Sequence, residues 1–221
     1  MGHKYGLQDI LDHALSRLKQ YYTADLAAWR DPDSRARYVT TTDDDAPTVV
    51  TLARLTNTPS LLPPALLVCT KIATGYLKHS DGSIVPRIAA LPMRDQLQLI
   101  AAKSLLSEVC AMRPLRLLAS VPCQDCSRMA SCRAVREMPL KSFNDRDDFP
   151  SFSDHNALKP IAKQFWGNAG WRRLCASCKE LLSQIDDIEI RAVWSTLPRI
   201  FGLELDKDSW PSIPEPEEST E

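Results

Sequence analysis

Glycine is scarce in this chain, with 7 in 221 residues, roughly half the usual share of about 7%. So few leave little material for phosphate-cradling loops or tight hairpins. No G-x-G-x-x-G, Walker or G-x-S-x-G sequence is present, which removes the common nucleotide and serine-hydrolase signatures. Histidine is equally thin: His3, His13, His79 and His155 are scattered, with no H-E-x-x-H and no Cys–His pair at ligand spacing. Long apolar runs are missing too. The longest, Leu61 to Cys69, is interrupted by Pro63 and Pro64 and is too short to cross a bilayer. The first residues, MGHKYGLQDILDHALSRL, are amphipathic and lack the unbroken apolar segment of a signal peptide. Neither sign of charge dominates, since the net charge is −1 and the pI is near 6.4. There is no global attraction to nucleic acid or to an anionic membrane. An intracellular protein is expected, cytoplasmic or nuclear, without a membrane partner.

What is present favours helices. The chain is 44% hydrophobic and 25% charged, enough apolar material for a packed core. Its 16 prolines exceed the usual share of about 5% and mark helix starts and stops. Tyr5 to Tyr22 carries a helical stripe of Leu7, Ile10, Leu11, Ala14, Leu15 and Leu18. Thr23 is placed to cap a short continuation bearing Leu26 and Trp29, and Arg30 to Ala46 reads as an exposed loop. Asp45 stands where an N-cap would, before Pro47. Pro63-Pro64 opens a helix through Ile72 that is apolar nearly all round, the mark of a buried helix. Asp81-Gly82 is a turn signal for a small hairpin.

Pro92 starts the longest helical run, with Met93, Leu97, Ile100, Ala101, Leu105 and Val109 as its expected core stripe. Pro114 is expected to break or kink it. Leu158 to Trp171 and Cys175 to Thr196 follow as helices, the second with Leu181, Leu182, Ile185, Ile188, Ala192 and Val193 on one face. Pro198 restarts a turn that Gly202 ends. From Asp206 the tail is acidic and proline-rich, the composition of a disordered segment. The fold class is mainly α: an irregular multi-helix bundle with a small zinc-thiolate-stapled C-terminal module and at most one short hairpin. The expected divisions are 1–22, 23–120, 121–205 as the cysteine-rich module, and 206–221 as the tail.

The chemistry lies in the cysteines. Without a secretion signal the 7 of them are expected to be reduced, and clustering reads as metal binding before disulfides. Cys123-x-x-Cys126 and Cys175-x-x-Cys178 are two knuckles of the kind that chelate zinc through four thiolates. The intervening residues 127–174 exceed the usual ribbon spacing. Cys132 is a rival to Cys123, because Cys126 and Cys132 also make a pair, so one of the three is surplus. Cys69 and Cys110 lie in apolar helical stripes and read as small core hydrophobes. Closed all-thiolate coordination leaves no position for water, so the expected zinc is structural and no catalytic residue is assigned. Arg113, Arg116, Arg128, Arg133 and Arg136 add local positive charge, more in keeping with a solvated helix face than with a nucleic-acid patch.

The segments GHKYGLQDILDHALSRLKQYYT, LARLTNTPSLLPPALLVC and LCASCKELLSQIDDIEIRAVWSTLPRIFGLEL resemble the region at and after the end of the BTB/POZ domain in a large fungal family. Leu174, Cys175, Cys178, Trp194, Leu197, Pro198, Ile200, Phe201, Gly202 and Leu203 stand in that family's order. The resemblance implies that residues 1 to about 22 correspond to the last BTB helices and that the strand-rich BTB body has no counterpart here. It also implies that Cys126 and Cys132 form the first cysteine pair, with Cys123 the odd one. A non-enzymatic protein-interaction module with a structural zinc site is the expected function. Its protein partner is unspecified, and self-association through the first helix is expected. The competing expectation is a zinc-dependent nucleic-acid-binding or transcription-associated protein using the arginines of 113–136. A thiol-based enzyme using a spare Cys123 or Cys132 is a third.

Overall fold

Nine α-helices and one hairpin make up the α and β structure among the described residues, which in this computed structural model are 7–73, 75–78, 84–142, 157–206 and 209–211. The helices are α1 (Leu7–Tyr21), α2 (Leu26–Trp29), α3 (Pro32–Ala36), α4 (Ala46–Leu55), α5 (Leu62–Ile72), α6 (Met93–Ala119), α7 (Met129–Ser142), α8 (Ala162–Arg173) and α9 (Ala176–Ile200). Strands β1 (Tyr76–Lys78) and β2 (Ile84–Pro86) pair antiparallel with Leu77 opposite Val85. This is the small hairpin expected around Asp81-Gly82, although the turn itself lies outside the described residues, as do His3, His79, His155 and residues 212–221. The chain divides into two compact units, 1–103 with 195–221, and 104–194.

In the first unit α5 is the centre. Of its eleven residues only Lys71 escapes burial, as its nearly continuous apolar character requires. It packs against α4, which buries Ala46, Pro47, Val49, Val50 and Ala53. The stretch after Arg30 is not a plain loop: Pro32 opens α3 at its first position, and Asp31 caps it by accepting from the Ser34 N–H at 3.0 Å. Arg35 of α3 lies over the rings of Tyr21 and Trp29, at 4.9 and 4.2 Å from their centroids, a cation–π arrangement. The cap of α2 is Asp25 rather than Thr23; its carboxylate accepts from the Ala27 N–H, while Thr23 Oγ1 accepts from the Asp25 N–H. Asp45 precedes α4 as expected but turns its carboxylate backwards, accepting from the Thr42 N–H at 2.8 Å. That bond, above all, holds the Asp45 carboxyl below its ordinary range. It closes a 3-10 turn over Asp43–Asp45 that propensity alone does not announce.

The apolar face of α1 is largely uncovered. Ile10 is 65% and Leu11 37% exposed, Ala14 is exposed, and Leu15 and Leu18 are half-buried. At the other end of the chain Phe201 is buried, and Gly202 at φ +58° closes α9 with a Schellman pair: Leu203 N–H to Pro198 O at 2.8 Å and Gly202 N–H to Arg199 O at 3.1 Å. Trp210, inside the segment expected to be disordered, is buried.

The phase of α6 differs from expectation. Met93, Leu97, Ile100 and Leu105 are 47–69% exposed, whereas Leu99, Ala102, Leu106, Cys110, Arg113 and Leu117 are buried. Both faces carry apolar residues, so periodicity alone admits either phase, and buried charges select this one. Asp95 is 3% exposed and accepts from Arg54 at 2.8 Å. Arg113 is 2% exposed and pairs with Asp186, itself 3% exposed. Neither Pro114 nor Pro198 breaks its helix. An interior proline costs about 3 kcal/mol, but Leu117 and Leu118 are buried beyond Pro114 and contribute roughly 1.5–3 kcal/mol each. On α9, Ile188 is exposed while Leu182, Ile190, Val193, Trp194 and Leu197 are buried.

In the second unit the Arg113–Asp186 pair is a hub. Arg113 also donates to the carbonyls of Ala157 at 2.7 Å and Lys159 at 3.1 Å, and Asp186 Oδ2 accepts the N–H groups of Ile161 at 2.7 Å and Ala162 at 3.0 Å. One carboxylate of α9 thus neutralises a cation of α6 and caps the start of α8. Replacing Asp186 with alanine strands a buried guanidinium and two backbone donors, so we expect a loss of ~3–5 kcal/mol, measured by urea denaturation. A loss below about 1 kcal/mol, the level of an exposed pair, would show that the hub carries little.

Candidate metal centre

Four of the five clustered cysteines meet at one point. The sulfurs of Cys126, Cys132, Cys175 and Cys178 all lie within 4.8 Å of one another. A tetrahedral thiolate site with metal–sulfur bonds near 2.3 Å has edges of about 3.8 Å, and the Cys126 and Cys175 sulfurs are 3.8 Å apart. The set therefore needs only small adjustments to close on an ion. Cys123 is not a member of this mutually close group, yet its sulfur stands 3.3 Å from that of Cys178. The pairing implied by the family resemblance, Cys126 with Cys132, is the one this geometry brings to the centre.

Each ligand pair is built in the same way. Cys126 lies in the turn before α7 and Cys132 in that helix's first turn; Cys175 immediately precedes α9 and Cys178 lies in its first turn. Two helix N-termini, each the positive end of a macrodipole, therefore face the sulfurs. Backbone donors reinforce them. The Cys175 N–H donates to Cys132 Sγ, the Cys178 N–H to Cys175 Sγ and the Cys123 N–H to Cys178 Sγ, each at 3.4 Å. Such bonds stabilise the thiolate form that a metal requires. Behind the ligands, Arg128 donates to Leu174 O at 2.7 Å and Ser131 to Arg173 O at 3.3 Å, tying the two ligand segments together. Leu117, Leu118, Val121, Val135, Trp166 and Leu182 form the apolar packing around the sulfurs, with Trp171 and Ile185 at its margin. Trp194, further along α9, is buried.

The thiols differ in acidity. The N–H of Cys178 is the main cause that lowers the Cys175 thiol to about 5, against the opposing effect of burial. Burial raises those of Cys132 and Cys178 above the ordinary range. Outside the cluster, Cys69 and Cys110 are buried among core side chains, as their apolar stripes suggested, and burial pushes the Cys69 thiol up to about 12. Four of the five arginines are engaged within the chain: Arg113 with Asp186, Arg116 with Glu189, Arg128 with Leu174 O and Arg136 with Val121 O. The burial of Arg113 runs against the solvated-face reading, and no sequence signal short of matching it to Asp186 could have found it. No family model, curated protein or solved structure matches the chain.

About one metal ion per chain is expected in protein prepared without chelator, as a single four-thiolate centre implies. Cys132→Ser, Cys175→Ser and Cys178→Ser should each lose it, whereas Cys123→Ser should keep it, read by elemental analysis. Binding should also depend on pH. At neutral pH the raised Cys132 and Cys178 thiols hold protons that the metal must displace, while Cys175 has already lost its own. Affinity should thus rise with pH, by at least about 100-fold per unit because Cys132 and Cys178 alone give up two protons, in chelator-competition titrations between pH 6 and 8. A flat profile would contradict the thiolate assignment.

Proposed function

We propose that this chain is a non-enzymatic protein-interaction module of BTB-related type, held together in its second unit by a structural zinc ion on Cys126, Cys132, Cys175 and Cys178. The convergence of four thiols at two helix starts carries the reading. An all-sulfur donor set suits zinc in a reducing compartment, and four protein ligands fill a tetrahedral shell, leaving no position for substrate. When bound, the ion would supply cross-linking between two ligand segments 42 residues apart (133–174). Structural zinc in small peptides contributes roughly 10–16 kcal/mol, more than the whole stability of most domains. An intracellular setting, cytoplasmic or nuclear, is consistent with seven cysteines that form no disulfide. Among the described residues no helix is long and apolar enough to cross a membrane.

The interaction surface we assign is the apolar face of α1. Its leucine and isoleucine side chains are costly to leave in water at roughly 1.5–3 kcal/mol each, and an uncovered apolar stripe of this kind marks an interface. A second copy of the chain is the occupant that needs no further component. The acidic residues of α1, Asp9 and Asp12, lie in its first half, and Arg17 and Lys19 in its second. Antiparallel pairing of two copies therefore sets opposite charges against one another. The nucleic-acid reading has less support, because most of the arginines it would use already have internal partners.

Light scattering across a concentration series should show the mass rising toward that of a dimer, and Leu11→Glu or Leu15→Glu should hold the chain monomeric with its helical circular dichroism intact. A wild type that stays monomeric at high concentration, beside variants that unfold, would place α1 in the core and end the interface reading.

A further inference from the structure

Cys123 is the thiol that the metal centre leaves over, and its position is not that of a bystander. Its sulfur is 3.3 Å from the Cys178 sulfur, and its own N–H donates to that same sulfur at 3.4 Å. Cys178 is buried, whereas Cys123 is partly exposed. Cys123 also lines an open cleft of about 770 Å³ together with Pro122, Asp125, Ser177, Glu180 and Gln184; none of the four ligand cysteines lines it. A small solute entering that cleft meets Cys123 first.

We propose that Cys123 and Cys178 form a peroxide-responsive pair whose disulfide withdraws a ligand from the metal centre. The proposal rests on the metal reading above. The Cys123 thiolate attacks one oxygen of hydrogen peroxide; the O–O bond breaks, hydroxide leaves and is protonated to water, and Cys123 becomes a sulfenic acid. The Cys178 thiolate then attacks the Cys123 sulfur. The S–S bond forms as the S–O bond breaks, and the departing hydroxide takes a proton to become a second water. Two thiols lose two electrons and two protons, and one peroxide is reduced to two waters. Cys178 can no longer bind the ion, so three thiolates remain in place of four, and the closed centre opens. The fifth thiol thereby makes the staple reversible, since thiol reductants regenerate both cysteines.

The test uses the full zinc-loaded chain and hydrogen peroxide, with a chromogenic chelator reporting free zinc and alkylation followed by peptide mass mapping reporting disulfides. The expected result is one zinc released per chain, a Cys123–Cys178 linked peptide, and recovery of zinc binding after dithiothreitol. Cys123→Ser should bind zinc as the wild type does but release it at least about tenfold more slowly, because the accessible thiol that reacts first is gone. Equal release rates in wild type and variant would overturn the proposal. So would a linked peptide joining other cysteines, or loss of zinc from unoxidised Cys123→Ser, which would make Cys123 a ligand. If the purified chain holds no zinc at all, the metal reading fails by itself, and the linked peptide still decides whether the two cysteines pair.

Discussion

The second unit depends on a charge that water cannot reach. Arg113 and Asp186 are both almost fully buried, and charges so placed are tolerated when they are paired with each other and hydrogen-bonded to further groups. Here the arrangement recruits backbone: two carbonyls before α8 accept from Arg113, and two N–H groups at the start of α8 donate to Asp186. Such a constellation permits little sliding or rotation of α9. Cys178, Leu182, Asp186 and Ile190 are spaced by four residues and share one buried stripe. The rotation that aims Asp186 at Arg113 is the rotation that aims the second cysteine pair at its partners. Asp186 lies about three turns beyond Cys175, so the hub and the thiol centre fix two points of one helix.

Much of this could be read from residues alone, and what could not has identifiable causes. The buried character of α5 and the hairpin were legible because their signals are local: a proline pair before an apolar run, and an Asp-Gly between short strands. The cysteine pairs were legible as chemistry, but spacing left Cys123 and Cys132 as rivals. Choosing between them needs the path of the turn before α7. The phase of α6 was not legible, because apolar residues occupy both faces and the deciding contacts come from Asp95 and Arg113, with partners 41 and 73 residues away. Pro114 misled for a related reason: its local cost is real, yet the leucines beyond it outweigh it through tertiary burial. Asp45 misled because its carboxylate turns to the Thr42 N–H behind it and makes no capping bond to its own helix.

Loop closure bears on how an ion would gather the four cysteines. Cys175 and Cys178 are separated by two residues, so in an unfolded chain they act as a single chelating unit. Closing the segment 133–174 against them carries an entropy cost of roughly 3 kcal/mol. Cys123 and Cys126 have the same spacing, so either close pair would hold an ion first, and the loop cost falls on whichever ligand segment joins second. A chain that stops before Cys175 carries only three of the five clustered thiols, Cys123, Cys126 and Cys132, one short of a four-thiolate shell.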